Sequence, residues 1–226
     1  AEPLTSRTFE AGRVYRFMKG SGLPMRIPVI EMVEIGSGGG SIATVDNLGR
    51  INVGPESAGA RPGPACYGHG GTEATVTDAE LLLGRIDEND FAGGTMTLSR
   101  DAANSAIETA LSKPLGLDGH MAAFAVAEMV CENMAAAARV HAAERGVGLA
   151  GRTMIAFGGG APLHAGRMAE KLGVDTVIVP FDAGVGSAIG FLKAPVAYEV
   201  VRSRYLALDA FDGDAANTVI DAMRAE

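Results

Sequence analysis

The chain has 226 residues, 47% of them apolar, and carries a formal net charge of −8. That is enough chain for one large domain or two small ones with a proper core, and no segment gathers the Lys and Arg that a nucleic-acid footprint requires. The longest apolar run, residues 121–140, is interrupted by Glu128, Glu132 and Asn133, which argues against a membrane span. The only cysteines, Cys66 and Cys131, have no metal-like spacing and suit a reducing cytoplasm.

The polar start of the chain does not read as a signal peptide, and the absence of an initiator Met suggests a piece of something longer. Residues 13–35 carry β-branched runs around a Gly-Ser-Gly-Leu-Pro turn and predict two strands, the second over IPVIEMVEI, residues 27–35. After the glycine-rich GSGGGS, a hairpin is expected, with Ile42 to Val45 against Arg50 to Val53 and a turn near Asn47 to Gly49. Glu56 to Thr75 then reads as a Gly/Pro-rich loop, long enough to suggest a function and too poor in large apolar groups for the core.

Helices dominate from there. TDAELLLGRI predicts one capped by Thr77 or Asp78, and SRDAANSAIETALSKPLG one that runs from its cap Ser99 to Pro114. Residues 118–146 predict a long Ala-rich helix whose small side chains allow close approach. A strand over 153–157, three glycines, a helix over 162–172 and a strand over 175–180 follow. A second glycine loop, DAGVGSAIGFL, leads into a short helix, VAYEVVRSRYLAL reads as a strand, and AANTVIDAMRAE starts a last helix. The order of elements is α/β, with its parallel part in the C-terminal third.

Three consecutive glycines between strand and helix suit a close approach of backbone to a ligand, because free N–H groups and the helix dipole favour an anion there. A tight strand-to-helix turn is the plainer reading of the same residues. A P-loop is excluded, since Leu163 and His164 stand where its Lys belongs, and Leu163 also breaks a Rossmann fingerprint. Three separate glycine loops, GSGGGS, FGGGAP and DAGVGS, instead fit the actin-like ATPase architecture, in which nucleotide lies between two lobes.

The residues carry a family resemblance. VEIGSGGGSIATVDNLGRINVGPESAGARPGPACYGHGGTEATVTDAELLLGRID, with AFGGGAPLHAGRMAEKLG and AGVGSAIGFL, resembles the hydantoinase/oxoprolinase family, in particular its hydantoinase A type ATP-dependent subunit. Ser37, where the family usually has Ala, and His69, where Arg is expected, depart from its pattern. The resemblance implies an incomplete C-terminal lobe of an actin-like ATPase, with a mixed sheet and flanking helices, and makes residues 1–226 a fragment of a hydantoinase A domain. It implies ATP and Mg2+ as cofactors, a cyclic amide such as a hydantoin or 5-oxoproline as substrate, a hydantoinase B type partner subunit or domain, and an oligomer. Phosphate loops of Asp-Gly-Gly-Thr and Gly-Gly-Thr type are expected upstream of Ala1, so the fragment alone is expected to be inactive. An ATP-using subunit of an acetone or acetophenone carboxylase and a non-catalytic actin-like module are the alternatives.

The resemblance assigns Gly158, Gly159, Gly160 and Ala161 to the adenosine-binding element and no residue to catalysis or to a metal. Gly38, Gly39, Gly40, Tyr67, His69, Asp78, Asn133 and His164 are candidates for the cleft or substrate side. Several have structural readings beside the functional one. His164 reads as a buried, satisfied histidine, Asp78 as a helix-capping carboxylate, and Cys66 and Tyr67 as loop packing. Glu128 and Glu132, four apart, share one helix face that either meets solvent or lines the cleft, with Asn133 turned away from them.

Overall fold

The computed structural model describes residues 4–12, 20–196, 198, 200–205 and 207–225, and the chain divides into two units, 1–186 and 187–226. In the first unit, β1 (Thr5–Ser6) pairs with β4 (Val29–Ile30), and β2 (Phe9–Ala11) with β3 (Leu23–Met25), both antiparallel. Of the strand expected over 27–35, only Val29–Ile30 pairs. Pro28 removes a backbone donor at its start, and Met32 and Val33 stay exposed beyond it. The other strand expected in this region falls on residues 13–19, outside the described residues.

The hairpin forms as expected, from β5 (Ser41–Val45) and β6 (Ile51–Ser57). Its turn closes through the Gly49 N–H on the Asp46 carbonyl, with Gly49 at φ +74°, a conformation that glycine adopts without strain. Helix α1 (Val76–Leu82) is capped one turn earlier than expected, by Thr75, with Asp78 returning a bond to the Thr75 N–H in a capping box. Ser99 caps α2 (Arg100–Ile107), which continues through a π-helical turn, Glu108–Ser112, into α3 (Lys113–Leu115) and stops at a left-handed Gly116. Asp118 caps the long α4 (Gly119–Glu144).

The core lies where α4 meets α1, α2 and the hairpin. Ala122, Ala123, Val126 and Val130 of α4 pack with Ile107, Leu111, Val76, Ala79, Ala43 and Val53, all buried. By length and apolarity alone α4 could cross a membrane. In this fold it is the central helix, against which α1, α2, β6 and a later helix, residues 161–172, pack.

Strand β7 (Thr153–Ile155), helix α5 (Ala161–Leu172) and strand β8 (Thr176–Ile178) form a parallel β–α–β unit, with Thr153 opposite Thr176 and Ile155 opposite Ile178. The single mixed sheet that the sequence suggested is not what forms. Among the described residues the strands make four separate two-stranded sheets, of which only β7–β8 is parallel. Ile155, Phe157, Ile178 and Val179 remain exposed, and Phe181 is 94% so. Parallel pairs in larger α/β sheets cover such residues with further strands and helices.

Helix α6 (Gly186–Lys193) begins at the boundary of the second unit, and α7 (Gly213–Ala225) closes it. The strand expected over 196–208 does not form among the described residues there, while the last helix does.

Candidate functional site

Strand β7 delivers the chain to Gly158–Gly160, and α5 begins immediately after them with Pro162 in its first turn, where a missing N–H costs nothing. The Gly158 N–H is fixed on the Ala183 carbonyl at 2.7 Å, and Gly158 sits at φ +102°, open to glycine alone. A side chain built on Gly158, Gly159 or Gly160 meets nothing within 4 Å. No packing among the described residues therefore requires glycine at Gly159 or Gly160. Pro162 has no N–H and the Leu163 N–H is bonded to the Gly160 carbonyl at 3.1 Å, which leaves the N–H of Ala161 as the one in this first turn without an intrahelical partner.

The glycines of the first loop have a different task. A side chain on Gly39 would stand 2.6 Å from Thr77 Oγ1, and one on Gly40 2.8 Å from Ser57 Oγ. The Gly39 carbonyl accepts from Thr77 N–H, and the Gly40 carbonyl from Ala58 N–H. Gly38 is open but tied down, its N–H on Ser41 Oγ at 3.0 Å. Close approach at Gly39 and Gly40 is therefore between parts of this chain, where α1 and the end of β6 come against the loop.

Asp78 organises the same corner. Its buried carboxylate accepts from the N–H groups of Ala65 (3.3 Å), Cys66 (2.8 Å) and Thr75 (2.9 Å) and from Thr75 Oγ1 (2.7 Å). This pulls Pro64, Ala65 and Cys66 of the Gly/Pro loop inside, so the expectation that the loop stays out of the core is corrected. The reason is polar rather than apolar: a carboxylate gathers backbone N–H groups that would otherwise face solvent. Burial and the neighbouring Asp78 push the Cys66 thiol well above its ordinary range, which suits packing and not nucleophilic attack. Tyr67 packs on Phe91 with ring centroids 5.6 Å apart, in a small cluster with Leu81, Leu98 and Ala103, while His69 is exposed at its edge.

His164 is buried in the first turn of α5, at 2% exposure. Its Nδ1 lies 3.6 Å from Cys131 Sγ of α4 and 3.6 Å from Glu80 Oε1 of α1. Glu80, 1% exposed, takes both of its closest bonds from Arg85 Nη1, at 3.1 and 3.0 Å. Burial raises the Glu80 carboxyl against the pull of Arg85, and burial and then the Arg85 charge hold the imidazole below its usual pKa. Cys131 is pushed up to about 11 by burial and the nearby carboxylates. Sequence reading singled out neither Glu80 nor Arg85. The available signal was a lone acid among leucines, in AELLLGR.

Asn133 clamps α4 to the hairpin, its Nδ2 donating to the Val53 carbonyl at 3.2 Å. Glu128 and Glu132 take the solvent side of their two readings and tie α4 to α5. Arg167 grips Glu128 with two bonds, at 2.6 and 2.9 Å, and Lys171 reaches both carboxylates at 3.1 Å. The Arg167 and Lys171 bonds bring the Glu128 carboxyl from 4.5 to about 2. Because the folded pKa is the lower one, Glu128 stabilises the fold above pH 4.5, and this is lost as pH falls towards 2. Glu128→Gln should accordingly lower the urea midpoint at pH 7, and its deficit against the parent should shrink on acidification through that window. A deficit independent of pH would contradict this.

Placement thus gathers the candidates into two groups. Gly38, Gly39, Gly40 and Asp78 converge on the start of α1, and Gly158, Gly159, Gly160, Ala161 and His164 form the start of α5. The His164–Glu80 contact, at 3.6 Å, brings α5 against α1, and Tyr67, His69 and Asn133 belong to neither group. Gly-Gly-Thr itself occurs twice within the chain, at 70–72 and 93–95, which corrects the expectation that it lies only upstream. Neither copy follows a strand into a helix: one lies in the loop before α1, the other in the turn between Phe91 and Met96. No group of three His, Cys, Asp or Glu side chains among the described residues could hold a metal ion. A cavity of about 840 Å³ between the N-terminal strands and the end of α4, lined by Phe9, Ile30, Met32, Pro55 and Arg145, contains none of the candidates.

Known proteins match over most of this structure. The hydantoinase/oxoprolinase family profile covers residues 5–200. Caprolactamase subunit alpha of Pseudomonas jessenii is 39% identical over 81% of this chain and 26% of its own length. The acetophenone carboxylase gamma subunit of Aromatoleum aromaticum is 39% identical over 73% of this chain and 23% of its own length. The crystal structure of the ATP-dependent caprolactamase from P. jessenii superposes with a TM-score of 0.70 at 33% identity, covering 95% of this chain and 31% of that one. The chain spans less than a third of the length of these relatives, and it belongs to the hydantoinase/oxoprolinase family.

Proposed function

We propose that this chain is the adenosine-contacting part of an ATP-dependent amidohydrolase that opens cyclic amides of the lactam, hydantoin or 5-oxoproline type. The observation that carries the reading is the Gly158–Gly160 loop, which has open space on its outer side and no internal packing to explain Gly159 and Gly160. Gly159, Gly160 and Ala161 would hold the nucleotide by backbone contact at the helix start, where partial positive charge favours an electron-rich group. Bound ATP would supply a phosphoryl group to the amide oxygen, making an imidate phosphate that water opens more readily than an amide. Mg2+ would enter with the ATP phosphates.

In the same reading the β7–α5–β8 unit is part of the second lobe of an actin-like ATPase, working in the cytoplasm. Partner subunits are supported by the caprolactamase and acetophenone carboxylase relatives, each a subunit, and in this reading the partner is of hydantoinase B type. A second reading, an ATP-using carboxylase subunit, is favoured by the 39% identity to the acetophenone carboxylase subunit.

The full-length protein that contains these residues should release phosphate from ATP only with a cyclic amide such as caprolactam, 5-oxoproline or hydantoin, and yield the ring-opened acid. Phosphate release that depends instead on a ketone and bicarbonate would select the second reading, and none with either substrate class would overturn both. Most charge-assisted bonds to ATP go to its phosphates. Residues 1–226 alone should therefore bind ATP with a Kd no tighter than about 1 mM by calorimetry, and a Kd of about 1 μM would contradict the reading of the chain as half a site.

A further inference from the structure

The loop that faces outward needs something to hold it in place from behind. Helix α5 buries only three residues, His164, Ala165 and Ala169. Two are alanines, so His164 is the one large side chain that anchors the helix in the core. It stands one turn after Gly160, directly behind the loop. Its Nδ1 faces Glu80 of α1 and Cys131 of α4 at the same distance, 3.6 Å. Glu80 cannot drift, because Arg85 holds both carboxylate oxygens in a buried setting. Other ties between α5 and α4 lie one to two turns further along: the ion pairs of Arg167 and Lys171, and a bond from Arg139 to the Lys171 carbonyl at 2.8 Å.

We propose that His164 is the positioning residue for the Gly158–Gly160 loop, fixing the first turn of α5 on Glu80 and Cys131 so that the loop's outward N–H groups keep one geometry. The inference rests on the reading of that loop as a nucleotide contact. Backbone N–H groups bind well only when their directions are set in advance, and misplacement of about 1 Å can cost a hundredfold. A leucine at this position would fill similar volume but lose both polar contacts, leaving Glu80 with Arg85 only. An asparagine would place its amide nitrogen close to the Nδ1 position and so keep a polar atom facing Glu80 and Cys131.

The test is steady-state kinetics and calorimetry on the full-length protein, with His164→Leu, His164→Asn and Gly159→Val. His164→Leu should raise the KM and Kd for ATP by about tenfold or more, with the larger part of its effect in KM and not in kcat. His164→Asn should return both to within about threefold of the parent. Two results would overturn the inference: parental ATP affinity in His164→Leu, or equal losses in the Leu and Asn variants that only follow their melting temperatures. If His164→Leu does not fold, His164→Gln takes its place, since its longer amide reaches past the Nδ1 position and should not rescue as Asn does. The two failures are separable. Loss of ATP binding in Gly159→Val alone overturns the role of His164, whereas parental binding in Gly159→Val overturns the reading of the loop itself.

Discussion

Asp78→Ala should destabilise the chain by about 4 kcal/mol, and urea denaturation of the parent and variant side by side measures it. The carboxylate accepts from three buried backbone N–H groups, those of Ala65, Cys66 and Thr75, and from the Thr75 hydroxyl. Alanine leaves those donors without an acceptor in a place that water does not reach, at about 1–3 kcal/mol each. One of these donors, the Thr75 N–H, belongs to the capping box of α1. Local rearrangement recovers part of the sum, which brings the estimate to about 4 kcal/mol and a fall in Tm of roughly 10 °C for a chain of this size. Asp78→Asn keeps the shape and one acceptor oxygen and should fall between the two. A loss below about 1 kcal/mol in Asp78→Ala would show that the Gly/Pro loop finds other partners.

Gly159→Val should abolish ATP binding by the full-length protein while leaving its Tm unchanged. A Cβ at Gly159 meets no heavy atom of the described residues within 4 Å beyond its chain neighbours, so packing there gives the substitution no reason to disturb the fold. What it fills is the space on the outer side of the loop, where the nucleotide is proposed to lie against the backbone. Gly39→Val provides the contrast. Its first added carbon would sit 2.6 Å from Thr77 Oγ1, so stability falls there whether or not ATP binds. Two glycines in similar-looking motifs thus separate into one kept for packing and one with no packing role. If Gly159→Val instead lowers Tm by as much as Gly39→Val, the distinction is wrong.

Much of this was legible in the sequence, for identifiable reasons. The hairpin announced itself through alternation around Asn47 to Gly49, and the β7–α5–β8 unit through apolar runs punctuated by three glycines. The caps Ser99 and Asp118 fell where short polar side chains precede helical runs. The cap of α1 falls at Thr75 because Thr75, Thr77 and Asp78 all offer an oxygen and the Thr75–Asp78 capping-box spacing decides among them, with Asp78 at the third helical position held further by Ala65 and Cys66. The burial of Pro64 to Cys66 was hidden, since a loop is drawn inward by an acid twelve or more residues away. The expected mixed sheet failed because strand pairing is non-local and the partners of β7 and β8 cannot be read from the strands themselves. The Glu80–Arg85–His164 cluster joins two helices far apart in sequence, so no spacing rule marks it. The candidate loop was readable as a motif, but which glycines serve packing and which face outward became visible only in three dimensions.

Backbone hydrogen exchange of the full-length protein, followed with and without saturating ATP, tests the central claim most directly. If Gly158–Gly160 and the start of α5 contact the nucleotide, the amides of Gly159, Gly160 and Ala161 should slow by about tenfold or more on binding, while those of the Gly38–Gly40 loop, held within the chain, change less. ATP that binds tightly, as calorimetry would show, yet leaves the exchange of residues 158–163 unchanged would contradict the account.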